Sequence, residues 1–146
     1  MVDLLDIDQF TGDNKFIIVG EIDECKAAFL REKSPENNLL NGIKGKKILL
    51  WGNRIEYTEK HKGNFQTADE YYECLKNIPN IINNPEYIGL PPHDDSIQFI
   101  KRIGRAIIVA VRISNKGKLS YRTMYPITDS QLNDYIRKKR AWKFDK

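Results

Sequence analysis

The sequence SIQFIKRIGRAIIVAVRISNKGKLSYRTMYP, residues 96–126, decides the fold. Residues 106–113 are apolar at almost every position, which is typical of a central strand that is covered on both faces. Residues 96–103 and residues 119–125 alternate between apolar and polar side chains, as half-buried strands do. Gly104 separates the first two strands. The stretch therefore predicts three consecutive strands of one antiparallel meander.

The third strand has the most regular pattern, and a hairpin signal, Asn115-Lys116-Gly117, precedes it. Strict alternation predicts which side chains share a face. One face is expected to carry Leu119, Tyr121, Thr123 and Tyr125, and the other Ser120, Arg122 and Met124.

Upstream of this meander, helical patterns lie between short β-branched runs. Strands are predicted at residues 16–19, 48–51 and 87–90. Helices are predicted to begin at Asp23, at Arg54 and at Thr67 or Asp69, with Pro79 as a kink and Asn83-Asn84-Pro85 as a stop. A last helix is expected to start at Asp129 or Ser130.

The helical spacing also predicts which side chains of each helix point inward. Three such faces are expected, formed by Cys25, Ala28 and Phe29, by Tyr72, Leu75, Ile78 and Ile82, and by Leu132, Tyr135 and Ile136. Residues 137–140 (RKKR) are expected to face outward from the last helix. The pattern predicts an α+β fold, with N-terminal helices packed on a twisted antiparallel sheet and a basic C-terminal helix.

Length and composition bound the class of protein. A chain of 146 residues is expected to form one domain, here residues 1–146 with a loose lead-in over residues 1–12. Two cysteines are too few for a disulfide scaffold. No apolar run approaches the ~18 residues of a membrane span, and the start of the chain lacks signal-peptide character. We therefore expect a cytoplasmic protein that does not contact a membrane.

The charge is distributed unevenly along the chain. Residues 98–146 contain 13 Lys and Arg residues against three Asp, whereas the net charge of the whole chain is only +4. Such a basic half suits a polyanionic partner, and RNA or DNA is the first candidate. A solvated basic helix at the C-terminus would explain the same numbers.

The chemistry-bearing residues favour a site without a metal or cofactor. Glycine-rich phosphate loops, nucleophile elbows and Cys-x-x-Cys pairs are missing from the sequence. The two histidines, His61 and His93, lack metal-site spacing, and Asp94-Asp95 beside His93 is more typical of a solvated turn. On the predicted second helix, Arg54, Tyr57 and His61 lie along one stripe at i, i+3 and i+7.

RNA can be cleaved by such a set of side chains, because its own 2′-OH is the nucleophile. The protein must supply a proton acceptor, a proton donor and positive charge for the dianionic phosphorane. Histidine suits the proton transfers because imidazole titrates near neutrality, and lysine or arginine suits the charge.

Five blocks of the sequence, in their order, resemble the phage-associated branch of the barnase–EndoU–colicin–RelE-like (BECR-fold) nuclease superfamily. They are VGEID at 19–23, ILLWGNRIEYTEKH at 48–61, NPEYI at 84–88, SIQFIK at 96–101 and YRTMYP at 121–126. The resemblance covers roughly residues 16–128, which would leave residues 129–146 as a basic helix and tail. It implies helices packed on an antiparallel sheet and metal-independent cleavage of RNA, tRNA included, by a phage, prophage or toxin domain in a bacterial cytoplasm.

The resemblance also implies roles for individual residues. His61 matches the family's second histidine and would act as general acid or base, while Arg54 matches the family arginine and would either steady the phosphate or hold the helix. Lys101 would stabilise the phosphorane, and Thr123 would hydrogen-bond the scissile phosphate. Four further residues would contact the substrate, namely Ser96 near Lys101, Arg122, Tyr57 and Tyr125.

Tyr57 is the main departure from the family pattern, which often has its first histidine there. Tyrosine, whose side chain in general has a pKa of about 10, is a poor general base at neutral pH. Three hypotheses therefore remain open. They are a metal-independent ribonuclease whose site residues converge in one cleft, a nucleic-acid-binding module on the same fold, and a phage protein that binds a protein inhibitor or host protein.

Overall fold

The computed structural model describes residues 16–91, 95–114 and 116–145. The predicted lead-in, His93 with Asp94, and Asn115 of the hairpin signal lie outside the described residues. The elements in chain order are β1 (Phe16–Glu21), α1 (Glu24–Lys33), β2 (Lys47–Trp51), α2 (Gly52–Glu59), α3 (Ala68–Lys76), α4 (Ile78–Asn83), β3 (Tyr87–Gly89), β4 (Ser96–Ile103), β5 (Arg105–Ile113), β6 (Leu119–Pro126), α5 (Asp129–Arg137) and β7 (Ala141–Lys143), with short 3₁₀ turns at Asn38–Leu40 and Lys62–Asn64.

The strands form one sheet in the order β1-β2-β6-β5-β4-β3-β7, so the predicted α+β fold is confirmed. The predicted meander of β4, β5 and β6 lies at its centre, with antiparallel pairing throughout. β2 joins the meander at β6, and this pair is parallel. No helix among the described residues is long and apolar enough to cross a membrane.

Both faces of the sheet are covered, as the apolar run in β5 predicts. On one face, the odd-numbered residues of β5 from Ile107 to Ile113 pack against side chains of α1, α3 and α4 in the larger core cluster. On the other face, Ile100 and Ile108 pack with Leu132 of α5. Helices therefore lie on both sides of the sheet, and the interior of β5 is buried from Ala106 to Val111.

The strict alternation predicted for β6 is wrong beyond Tyr121, because the strand contains a β-bulge. Val111 pairs with Tyr121 and Ala110 pairs with Thr123, so Arg122 is the extra residue of the bulge. An extra residue reverses the facing of everything after it. Met124 consequently joins Tyr121 in the larger core cluster, while Thr123 turns to the opposite face.

The start of α1 is as predicted, but its inward face is wrong. Asp23 is the N-cap and its carboxylate accepts a hydrogen bond from the backbone N–H of Lys26 at 2.8 Å. The buried residues are Lys26, Ala27 and Leu30, whereas Cys25 and Ala28 are exposed. Because the second carboxylate oxygen of Asp23 binds the Lys26 ammonium at 3.0 Å, the lysine can bury its aliphatic stem there.

Similar corrections apply to the third and last predicted helices. Thr67 caps α3 as expected, yet Tyr71 is the buried tyrosine and Tyr72 is 40% exposed. α3 ends at Lys76, and α4 begins at Ile78 with Pro79 in its first turn. The stop at Asn84 is confirmed.

The basic C-terminal segment is a turn and a strand as well as a helix. α5 is capped by Thr128, one residue before the predicted start, and it ends at Arg137. Lys139 has a φ of 58°, which reverses the chain into β7, a strand that the sequence did not predict. Ile136, expected to point inward, is 37% exposed.

Candidate functional site

The site forms where β2 ends and β6 continues without it. β2 pairs with β6 only through Leu119 and Ser120, so the rest of β6 has a free edge. The chain turns from Trp51 directly into α2, which packs along this edge. Thr58 and Tyr121, both buried, fix the helix to the strand through hydroxyl oxygens 2.6 Å apart. Burial raises the pKa of the Tyr121 phenol, which stays a neutral hydrogen-bonding group.

The side chains of the predicted stripe contact one another in the predicted order, although α2 ends at Glu59 and does not reach His61 as predicted. The guanidinium carbon of Arg54 lies 4.1 Å from the centre of the Tyr57 ring, a cation–π distance. The Tyr57 and His61 rings meet edge to face, with their centres 5.7 Å apart. His61 lies just beyond α2, before the 3₁₀ turn at Lys62–Asn64.

Arg54 also binds the bulge in β6. Its Nε donates to the carbonyl oxygen of Arg122 at 3.0 Å, and a terminal nitrogen of the same guanidinium donates to that oxygen as well. A bulge interrupts the strand ladder and leaves backbone groups without a strand partner. Arg54 therefore satisfies this carbonyl group and holds α2 at a fixed position along β6.

His61 borders a cleft of about 470 Å³, which we name the histidine cleft. Its lining residues are His61, Asn64, Arg105, Thr123, Tyr125, Pro126, Ile127, Thr128 and Gln131. Two lining atoms, Thr123 Oγ1 and Arg105 Nε, are buried and have no hydrogen-bond partner among the described residues. Unsatisfied buried polar atoms are rare, and a catalytic role is one common explanation for them.

Arg105 is the cation of this cleft, and it was not among the site residues predicted from the sequence. Its Nη2 donates to the Glu70 carboxylate at 3.0 Å and to the Asn64 carbonyl oxygen at 3.1 Å. The hydrogen bond from the backbone N–H of Gln66 holds the pKa of Glu70 below its ordinary value, and Arg105 makes a smaller contribution in the same direction. Arg105 directly follows Gly104, whose φ of 80° makes the β4–β5 turn, so the one available signal was a cation at a tight hairpin.

A second cleft, of about 510 Å³, lies on the other side of Tyr57, and we name it the arginine cleft. Its lining residues are Trp51, Asn53, Arg54, Tyr57, Arg112, Ser120, Tyr121 and Arg122. Asp95 approaches two of these arginines, with carboxylate oxygens 3.2 Å from Arg112 Nε and 3.8 Å from Arg122 Nη1.

Lys101 lines neither cleft, whereas His61 and Thr123 line the histidine cleft and Arg54 lines the arginine cleft. Lys101 lies between Phe99 and Ile103 on the face of β4 that packs against the larger core cluster, opposite the face of Thr123. Its ammonium donates to the carbonyl oxygen of Asn84 at 3.0 Å, just after α4 ends. A cation at the end of a helix satisfies a free carbonyl group and is favourable for the helix dipole.

The remaining predicted residues are divided between the two clefts and the sheet. Tyr125 lines the histidine cleft, and its hydroxyl oxygen accepts a hydrogen bond from the Gln98 amide at 3.1 Å. Ser96 is buried at the start of β4, directly across from Arg112. Five residues of strand, about 16 Å, separate Ser96 from Lys101, so these two are not neighbours.

In the part of the chain that the structure describes, titratable side chains do not cluster in the manner of a metal centre. Within residues 16–91, 95–114 and 116–145, no three His, Cys, Asp or Glu side chains are grouped so that they could hold a metal ion. The donor set around His61 consists of an imidazole, a guanidinium, hydroxyl groups and amides. These groups suit proton transfer and binding of an anion.

The comparison with known protein families agrees with this arrangement. The model of the phage-Barnase-EndoU-ColicinE5/D-RelE like nuclease 3 family matches residues 28–134, well over half of the chain. No curated protein and no solved structure matches the chain significantly. The match confirms the family resemblance and contains four of the five sequence blocks, since the block at 19–23 precedes it. The chain belongs to the phage-Barnase-EndoU-ColicinE5/D-RelE like nuclease 3 family.

Proposed function

We propose that this nuclease-family domain is a metal-independent endoribonuclease that cleaves RNA in the histidine cleft. One observation carries the proposal. His61, Arg105 and Thr123, which supply an imidazole, a guanidinium and a hydroxyl group, line a single cleft. An imidazole exchanges protons near neutral pH, a guanidinium neutralises a phosphorane, and a hydroxyl donates a hydrogen bond to it.

The proposed reaction is a transesterification. The 2′-oxygen of the RNA attacks the neighbouring phosphorus, and the P–O5′ bond breaks as the new bond forms. His61 takes the proton of the 2′-OH as general base. The phenol of Tyr57, beside His61, is the proton donor for the departing 5′-oxygen, because a tyrosine hydroxyl is protonated at neutral pH. The products are a 2′,3′-cyclic phosphate and a 5′-hydroxyl.

Arg105 takes the role that the family resemblance implies for Lys101. The geometry supports this exchange, since Lys101 caps α4 on the other face of the sheet. The family name supports a phage or prophage origin. On that basis we propose action on host RNA, tRNA included, in the bacterial cytoplasm, in the manner of a toxin. A specific protein inhibitor would then be needed where the chain is made.

The test is cleavage of total RNA and tRNA in EDTA by the wild type and three variants. We expect His61→Ala and Arg105→Gln each to lower the rate by about 100-fold or more, the usual size for a general base or a charge-stabilising donor. Lys101→Met, which keeps the length of the side chain, should retain most of the activity. Cleavage that requires a divalent cation, or that survives His61→Ala, would overturn the proposal.

A second candidate function is RNA binding without cleavage, and Tyr57 is the observation that favours it. Tyr57 stands where the family pattern often has a histidine, and it is 40% exposed between Arg54 and His61. This candidate predicts that the wild-type protein binds RNA with an affinity that weakens as salt rises, and that it releases no cleavage products. Tyr57→His distinguishes the two, because a restored histidine pair would then create activity that the wild type lacks.

A further inference from the structure

We infer that the arginine cleft binds the RNA phosphate next to the scissile one, on one defined side of the cleavage point. The inference rests on the proposed function, in which the scissile phosphate occupies the histidine cleft. Tyr57 lines the arginine cleft and contacts His61 of the histidine cleft, so the two clefts adjoin. A single strand that crosses Tyr57 would place consecutive phosphates in the two clefts.

The first support is that two guanidinium groups already converge on one anion. Arg112 lies at the end of β5 and Arg122 at the bulge in β6, yet both reach the carboxylate of Asp95. Arg112 is 62% exposed and Arg122 is 46% exposed in their side chains, so a solvent-borne anion can approach them. Arginine binds phosphate oxygens in the same way as carboxylate oxygens.

The second support is the start of α2, which opens onto the same cleft. α2 begins at Gly52, and its N-cap residue Trp51 makes no side-chain capping bond. Trp51, Asn53 and Arg54 all line the arginine cleft. The N-terminal end of this eight-residue helix therefore lies at the same cleft as the two arginines, and helix N-termini favour phosphate groups.

Asp95 occupies the place of the phosphate in the unbound protein. Its carboxylate neutralises Arg112 and Arg122 until a phosphodiester of RNA displaces it. The exchange is favourable because a phosphate in this cleft also faces the helix N-terminus. Asp95 thus weakens binding of short anions that lack a second phosphate in the histidine cleft.

The test uses oligonucleotides that contain a single ribonucleotide and are otherwise deoxy, so that only one bond can be cleaved. The shortest has one phosphate, and two longer ones carry an added phosphate on the 5′ side or the 3′ side. We expect Arg112→Gln/Arg122→Gln to raise KM about tenfold for one of the longer substrates, with kcat retained and the shortest substrate unaffected. Asp95→Asn should lower KM for that same substrate.

The matched control is Arg102→Gln, which removes an exposed strand arginine that binds Asp129 outside both clefts. Equal losses on all three substrates, or no loss on any, would overturn the inference while leaving the ribonuclease intact. Should no substrate be cleaved, the proposed function fails, and binding of an all-deoxy trinucleotide decides the inference separately. The double variant must then bind this trinucleotide more weakly than the wild type, and the slope of log K against log salt must be smaller in magnitude by about 0.7. Equal binding by the two proteins would refute the subsite.

Discussion

At the scale of single residues, two threonines on neighbouring elements affect the stability of the fold in opposite directions. The Thr58 hydroxyl donates to the Arg54 carbonyl oxygen at 2.8 Å and lies 2.6 Å from the Tyr121 hydroxyl oxygen. The Thr123 hydroxyl is buried in the histidine cleft without a partner among the described residues. A buried hydroxyl that lacks a partner costs about 1–3 kcal/mol, so Thr123 reduces the stability of the unbound protein.

Replacement by valine, which has nearly the same shape, separates the two cases. We expect Thr123→Val to leave the free energy of unfolding unchanged or to raise it by up to about 1 kcal/mol, while RNA cleavage falls at least tenfold. Thr58→Val should lower the free energy of unfolding by about 1–3 kcal/mol, because it leaves the Tyr121 hydroxyl unsatisfied. Urea denaturation and a cleavage assay measure both effects, and a loss of stability in Thr123→Val would contradict the assignment.

Glu70 provides a pH-dependent prediction at the same scale. Its pKa is lowered in the folded state, first by the hydrogen bond from the Gln66 N–H and then by Arg105. Its carboxylate therefore stabilises the fold above its ordinary pKa of 4.5, and this stabilisation is lost as the pH falls through the lower folded value. Glu70→Gln should be less stable than the wild type at pH 7, and the difference should shrink towards pH 3.

The control for this prediction is Glu73→Gln, which removes the same charge one helical turn away. It measures the effect of removing a carboxylate charge from α3 outside the pair of Glu70 and Arg105. Urea midpoints at the two pH values are sufficient. A Glu70→Gln difference that is the same at both pH values would show that the carboxylate charge contributes nothing to stability.

At the scale of elements, the site depends on how α2 is held against β6. Arg54 connects them through the carbonyl oxygen of Arg122, and its guanidinium also stacks on Tyr57. We expect Arg54→Met to lower stability by only about 1 kcal/mol, since the bond is exposed, but to lower kcat much more than it raises KM. Faster amide hydrogen exchange in α2 should accompany the loss, and Arg54→Lys should restore part of it.

The same elements show how far the sequence could predict the site. The stripe of Arg54, Tyr57 and His61 follows from helical spacing, which is local, and the structure confirms it. The face of Thr123 relative to Tyr121 depends on a bulge, and no local pattern in residues 119–125 indicates one. Arg105 reaches the cleft because α3 supplies Glu70 from 35 residues upstream, a contact that only the tertiary structure creates.

At the scale of the whole molecule, the excess of positive charge in residues 98–146 is not a single surface. Arg105, Arg112 and Arg122 line the two clefts, whereas a second group of basic residues lies at the end of α5 and in the turn to β7. Two of the latter, Arg137 and Lys138, bind Asp134, whose pKa they lower. The charge of the clefts and the charge of the tail are therefore separate contributions to RNA binding.

The separation predicts how RNA affinity responds to the loss of the tail charges. Gln131 is the residue of α5 furthest along the helix that lines the histidine cleft, whereas Lys139 and Arg140 follow the end of α5 and line neither cleft. Both are exposed, and salt screens exposed charges that do not contact the RNA. We expect Lys139→Gln/Arg140→Gln to change the affinity for a short single-stranded RNA less than twofold at 150 mM salt. The slope of log K against log salt should stay near −1.4, the value for two phosphate contacts. A slope reduced as much as in Arg112→Gln/Arg122→Gln would instead place the path of the RNA across the C-terminal turn.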